Sequence, residues 1–275
     1  MTGSRLQLEV PFGLSLLEGG RFYGIGNEAL GVYCVSTLVG AAWLGQLATH
    51  RFPGRREAPV LAVGLVGLFA VVASGWPGFG AKVGGTIALV PCLLLLMAWL
   101  AGVQLRWRWA VPLAVSGIAL VFVFALISYF FPAAGVSDMG TFAGNLLHGR
   151  GGDLLQRKVS SNVGTLTVTV FSWLIPVVAV AAAAALWRPA ALRLRLLARA
   201  FGAEPLVRVV ARLVWLVLVI GWFADDSGVI VPAAALPFAV PLVISMAASV
   251  SGAVGGARYF GTAFAGSSVA GQAPR

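Results

Sequence analysis

The sequence carries very little charge for its length. Only 10% of its 275 residues are charged and 59% are hydrophobic, whereas soluble domains carry about a quarter charged residues. So few polar side chains cannot cover the surface of a water-soluble globule. The composition excludes an ordinary soluble enzyme or binding domain and indicates an integral membrane protein.

Cysteine and histidine are scarce too, with two residues of each. Cys34 and Cys92 lie inside apolar runs, with no CxxC pair and no neighbouring histidine or carboxylate to complete a metal site. The chain also lacks HExxH, paired-histidine and Ser-His-Asp patterns. We therefore predict two packed thiols, no metal and no other cofactor.

Acidic residues number 9 against 19 basic ones, a net charge of +10. Nucleic-acid binding needs basic residues gathered on one accessible face. Here they stand in short gaps between long apolar runs, so we predict the lipid bilayer as partner and no nucleic acid.

Long apolar runs are what the sequence has instead. A helix of about 20 apolar residues crosses the roughly 30 Å hydrocarbon core with its backbone polar groups satisfied internally. The runs predict an all-α, polytopic transmembrane helix bundle of about seven spans: 29–48, 58–75, 84–104, 109–131, 167–187, 207–224 and 229–251.

The basic residues predict how the bundle is oriented. With the N-terminus outside and the C-terminus inside, 13 of the 19 basic residues fall on the inner side and seven of the nine acidic ones on the outer side. Cytoplasmic loops retain basic residues in this way. The prediction is a multi-pass protein of the bacterial plasma membrane, with an extracytoplasmic segment 1–28 that lacks the pattern of a cleavable signal peptide, a transmembrane domain 29–252 and a disordered cytoplasmic tail 253–275 rich in Gly, Ala and Ser.

Two further elements are predicted beside the membrane. Within the segment 188–212 the pattern predicts an amphipathic helix lying on anionic lipid headgroups, with Pro189 at its first position and Gly202 at its end. In the long outer loop, Asp153 is a candidate N-cap for a helix over residues 153–162.

Candidate site residues gather at the outer ends of the spans. Ionisable groups at membrane depth are costly and suggest a functional site, and a glycine-rich turn before a helix leaves backbone N–H groups that can hold an anion. The alternatives are that the glycines only form tight turns and that the charges form structural ion pairs. The candidates are Arg21, Asn27 and Glu28 before the first span, Lys82 in the glycine-rich turn, Arg157, Lys158 and Asn162 in the long loop, and Asp225, Asp226 and Ser227 between the last two spans.

Five short segments carry a family resemblance: TGSRLQL at 2–8, GRFYGIGNE at 20–28, FGAKVGG at 79–85, Arg157-Lys158 with Asn162, and Asp226-Ser227-Gly228. With them, the chain resembles a family of uncharacterised bacterial multi-pass membrane proteins, common in actinobacteria with relatives in firmicutes. The resemblance covers most of residues 2–240. It implies an extracytoplasmic, hydrolase-like partner, because longer relatives carry such sequence before the part that matches Thr2. Asp225 stands where the family commonly has Asn, and Asp138-Met139 where it has His-Leu.

Three functions fit these observations. The first is binding or translocation of an anionic, lipid-linked cell-envelope substrate at the outer face. The second is a membrane-embedded transferase or hydrolase of envelope lipids with Glu28 or Asp226 as general base. The third is an ion- or proton-coupled transporter, for which the spans hold few ionisable residues. Whether the protein is an enzyme stays open at this point.

Overall fold

The computed structural model describes residues 25–76, 79–80, 82–103, 110–130, 144–145, 147–149 and 151–250. The predictions for the segment before residue 25 and for the tail from 253 lie outside the described residues. The described part is helical and contains no strand.

Nine helices and one 3-10 turn follow each other along the described chain: α1 Asn27–Arg51, α2 Glu57–Gly75, α3 Val83–Leu100, α4 Ala110–Phe130, α5 Gly151–Thr167, the 3-10 turn Val170–Trp173, α6 Leu174–Trp187, α7 Arg195–Ala203, α8 Pro205–Ala224 and α9 Ile230–Val250. Seven of these segments are long and apolar enough to cross a membrane, the fifth being the 3-10 turn together with α6. The all-α, multi-pass bundle of seven spans is confirmed.

The centre of the bundle is formed by α1, α3 and α8, which are about half buried inside the protein. Leu30, Leu89 and Leu206, one on each of these helices, are fully enclosed. Helix α2 turns large apolar side chains outward instead, and Leu65 and Phe69 are 68% and 77% exposed. Apolar side chains exposed around a bundle of this composition are compatible with a surrounding lipid bilayer.

Helix α6 lies at the edge of the bundle, with only 6% of its span buried. Two polar contacts hold it against α8. The indole Nε1 of Trp215 donates to the carbonyl oxygen of Ala179 at 2.8 Å, and the guanidinium of Arg212 donates twice to the carbonyl oxygen of Leu186, at 3.2 Å each. Peripheral packing leaves an apolar cleft behind α6.

The amphipathic helix predicted from Pro189 to Gly202 begins later than predicted and ends within one residue of the predicted end. Residues 188–194 form turns, with Arg193 at a φ of 55°, and α7 is confined to Arg195–Ala203. Glu204 is extended and Pro205 opens α8, so Arg208 and Arg212 belong to a spanning helix. A residue before proline avoids the helical region and proline suits the first helical position, so the pair Glu204-Pro205 separates the two helices.

The helix predicted in the long outer loop is confirmed and extended, because α5 runs from Gly151 to Thr167. Asp153 is the third residue of α5 and not its N-cap, which corrects that prediction. The two cysteines are free and buried, as packed thiols should be.

Candidate functional site

Four separate parts of the chain meet at one end of the bundle, called here the polar end. They are the start of α1, the residues before α3, helix α5 and the turn between α8 and α9. Alternating spans bring these parts to one side. The polar cluster described below consists of Asn27, Lys82, Lys158, Asn162, Asp225, Asp226 and Ser227.

Lys82 and Asp225 form a buried ion pair at the polar end. The ammonium Nζ of Lys82 lies 3.2 Å from Oδ2 of Asp225, and the two side chains are 6% and 5% exposed. Lys82 also donates to Oδ1 of Asn27, and the other carboxylate oxygen of Asp225 accepts from the backbone N–H of Ser227 at 3.1 Å. One lysine thus ties α1, α3 and the α8–α9 turn together.

Glycine at position 84 allows the carboxylate to reach the start of α3. A Cβ atom at this position would lie 2.8 Å from Oδ2 and 3.0 Å from Cα of Asp225, closer than packed atoms tolerate. The negative charge lies against the first turn of α3, where unpaired backbone N–H groups favour an anion. The anion at this helix terminus is therefore the protein's own aspartate.

Lys158 and Asp226 form a second, more open pair. Their side chains are 26% and 49% exposed, and Nζ of Lys158 lies 2.8 Å from Oδ1 of Asp226. Lys158 also donates to the carbonyl oxygen of Ala224 at 2.7 Å, and Ser161 Oγ donates to the carbonyl oxygen of Asp226. Helix α5 is thereby fastened over the end of α8.

Gly228 completes the contact between α5 and this turn. Its φ of 55° lies in the left-handed region, and a Cβ atom here would collide with Thr165 Oγ1. Beside it, the buried atoms Asn162 Oδ1 and Ser227 Oγ have no hydrogen-bond partner among the described residues. Buried polar atoms are paired in the great majority of cases. These two oxygen atoms can therefore accept hydrogen bonds from a further group.

Three predicted site residues are not part of this cluster in the described structure. Glu28 lies half-buried in the first turn of α1, where its charge suits the helix terminus. Arg21 lies outside the described residues, and so does the side chain of Arg157. The remaining seven predicted residues come together.

The cluster contains two lysines and two aspartates, arranged as neighbouring pairs. Lys82, the predicted anion ligand, is enclosed by Asp225 and Asn27 and closes the bundle end as a structural pair does. Lys158 is the lysine of the two that a ligand can reach, because its partner Asp226 is half exposed and an exposed pair is weak. Among the described residues no group of three potential metal ligands occurs.

An apolar cleft between α6, α8 and α9 lies directly below the cluster. It is partly open, has a volume of about 40 Å³ and exposes no polar surface. Trp222 in its wall is three residues before Asp225, and Pro232 is four after Gly228, about one helical turn from the cluster in each case. Its wall consists of Ile175, Val178, Ala179, Ala182, Trp215, Leu218, Val219, Trp222, Pro232 and Leu236.

The sequence contains a signal for this cleft that the interpretation by spans does not use. Ala179 and Ala182 are small residues on one face of α6, opposite Trp215 and Trp222 of α8. Small residues in spans usually allow helices to approach closely. Here Ala179 and Ala182 face two indoles, and a small cleft remains between α6 and α8.

No protein-family model, curated protein or solved structure matches the chain.

Proposed function

We propose that this protein binds an anionic, lipid-linked molecule of the cell envelope, either to translocate it or to present it to an extracytoplasmic, hydrolase-like partner. Part of the hydrocarbon chain enters the cleft between α6, α8 and α9, and the charged group lies at Lys158. The proposal includes a bacterial plasma membrane and an orientation that places the polar end outside.

The observation that carries the proposal is the position of an apolar cleft one helical turn from a polar cluster with an accessible lysine. An amphipathic molecule has the same division between an apolar chain and a polar head. Because the wall of the cleft is apolar throughout, it offers nothing to a polar solute. A lipid chain can enter sideways past α6, which is barely buried.

The polar part of the proposed site suits an anion that also carries hydrogen-bonding groups. Lys158 exchanges Asp226 for a ligand phosphate at little cost, since an exposed ion pair contributes about 0–1 kcal/mol. The unused atoms Asn162 Oδ1 and Ser227 Oγ accept hydrogen bonds from ligand hydroxyl groups when α5 shifts to admit them. Lys82 and Asp225 hold the helices in place without contacting the ligand.

Charge asymmetry supports the orientation. The end opposite the polar end carries most of the arginines, and cytoplasmic loops are enriched in basic residues. A membrane-impermeant maleimide applied to intact cells should label Ser160→Cys on α5 and should not label Gly54→Cys in the α1–α2 turn. Both positions are exposed, and labelling in the reverse pattern would place the polar cluster inside.

The binding test uses two photoactivatable lipid probes, an acyl phosphate and a neutral acyl alcohol of the same chain. We expect the phosphate probe to label α6 or α8 of the purified protein more strongly. Ala182→Trp fills the cleft and should reduce labelling by both probes, whereas Lys158→Gln should reduce labelling by the phosphate probe alone.

Ala184→Trp is the matched control, because Ala184 is an exposed residue of α6 that does not line the cleft. Labelling should persist in this variant. Equal labelling by both probes in the wild-type protein, or equal losses from Ala182→Trp and Ala184→Trp, would overturn the proposal.

A further inference from the structure

The end of the bundle opposite the polar cluster carries a second feature, formed by the segment between α6 and α8. Its arginines Arg188, Arg193, Arg195 and Arg199 are all exposed. None of their guanidinium groups is paired with an acidic side chain among the described residues. The one acidic residue of the segment is Glu204. Its Oε1 accepts a hydrogen bond from the backbone N–H of Leu206 at the start of α8.

Helix α7 turns its arginines away from the protein. Ala200 and Phe201 are 0% and 4% exposed and pack into the bundle. At 100° per residue, Arg195 and Arg199 lie on the opposite face of the helix. Their charges are therefore presented outward on a helix whose other side is fixed.

Large apolar side chains stand among these arginines. Trp187, Leu192 and Leu194 are 47%, 49% and 37% exposed. Trp187 is held in place by the guanidinium of Arg212, 5.3 Å from its ring centroid, and by an edge-to-face contact with Trp215. A fixed tryptophan beside arginines at the end of a span is typical of a membrane interface, where the aromatic rings of Trp and Tyr lie at the level of the lipid headgroups.

From this combination we infer that Arg188, Arg193, Arg195 and Arg199, together with Trp187, Leu192 and Leu194, form a binding surface for an anionic phospholipid. The guanidinium groups bind the headgroup phosphate, because their paired N–H donors match two phosphate oxygens. The apolar side chains contact the first part of the acyl chains. A soluble polyanion would meet the charges but would leave the apolar side chains in water. The surface lies at the end of the bundle remote from the proposed envelope-lipid site and does not depend on it.

The test measures binding of fluorescent phosphatidylglycerol to the detergent-solubilised full chain, with fluorescent phosphatidylcholine as the neutral probe. A basic residue near an anionic lipid surface contributes about fivefold in affinity, or about 1 kcal/mol. The double variant Arg195→Gln/Arg199→Gln should therefore weaken phosphatidylglycerol binding about 25-fold and leave phosphatidylcholine binding unchanged. Its thermal stability should match the wild type, because both side chains are exposed.

The matched control is Arg55→Gln/Arg56→Gln, which removes two exposed arginines from the α1–α2 turn at the same end. Phosphatidylglycerol binding should change little in this variant. Equal losses of phosphatidylglycerol affinity in the two double variants would show that only the net charge of the protein matters, which would overturn the inference. So would equal binding of the two lipids, or a preference for heparin over phosphatidylglycerol.

Discussion

Nζ of Lys82 lies 3.2 Å from Oδ2 of Asp225, although 143 residues separate them, and both side chains are about 95% enclosed. Two buried charges are costly to remove from water, and their attraction offsets that cost only while both are present. The pair therefore fixes the polar end of the bundle. Lys82 also donates a hydrogen bond to Asn27, which joins α1 to the pair.

This pair gives the first prediction. Removing one partner leaves the other charge buried, which typically costs about 3–5 kcal/mol, so Lys82→Met and Asp225→Asn should each lower the free energy of unfolding in detergent by that order. The double variant Lys82→Met/Asp225→Asn should be more stable than either single one. A double-mutant cycle of thermal or denaturant unfolding measures the coupling, and additive losses would show that the two groups do not interact.

The second prediction concerns the close approach at Gly84. Gly84→Ala places a methyl group 2.8–3.0 Å from Oδ2, Cβ and Cα of Asp225, so Asp225 must move and stability should fall by about 1–3 kcal/mol. Gly40→Ala on α1 is the control, since a Cβ atom there meets nothing within 4 Å. In that open helical position alanine should raise stability by about 0.5–1 kcal/mol. An unfolding midpoint that falls in Gly84→Ala and rises in Gly40→Ala would show that the loss comes from the contact with Asp225 and not from replacing a glycine.

Much of this architecture follows from the sequence, because apolar length decides spanning helices almost alone. Seven runs predict seven helices, and alternation of spans is enough to bring Lys82, Lys158 and Asp225 to one end. The pairing itself is another matter. Which lysine faces which aspartate depends on the close approach at Gly84 and on the position of α5, and both depend on tertiary packing that hydropathy does not encode.

The wrong start of the amphipathic helix, Pro189 instead of Arg195, has a local cause. Basic and apolar residues alternate on both sides of Arg193, so the amphipathic pattern continues through turns in which Arg193 has a φ of 55°. The cleft does not follow from the sequence either. Trp215 and Trp222 lie on a long spanning helix, and hydropathy cannot show that Ala179 and Ala182 of α6 face them and leave a cleft between the helices.

The third prediction concerns how α6 is attached. Trp215→Phe keeps an aromatic ring and removes the hydrogen bond to the carbonyl oxygen of Ala179, a loss of about 1 kcal/mol. We expect faster hydrogen exchange in α6 with little change in α1 or α3, because α6 has few other contacts. The control is Trp173→Phe, which changes an exposed ring in the preceding 3-10 turn. Uniform acceleration across all helices would mean that the bond supports the whole fold and not the attachment of α6.

The last prediction is a pH dependence that arises at Glu204, in the turn before α8. Burial raises the pKa of this carboxyl group above its ordinary value, and the hydrogen bond from Leu206 and the charge of His50 oppose the shift only in part. The folded protein therefore keeps a proton that the unfolded chain has already released. Stability should fall as pH rises from the ordinary glutamate pKa, about 4.3, through the raised value in the folded state, and this contribution should then stay constant.

Glu204→Gln should remove this part of the fall, because glutamine keeps an oxygen to accept from the backbone N–H of Leu206 and has no charge to bury. At neutral pH the variant should be at least as stable as the wild type. Melting temperatures in detergent from the acid range to neutrality provide the measurement, with Glu57→Gln, exposed at the start of α2, as the control expected to parallel the wild type. A variant that loses stability most at neutral pH would reverse the sign and show that ionised Glu204 supports the turn between α7 and α8.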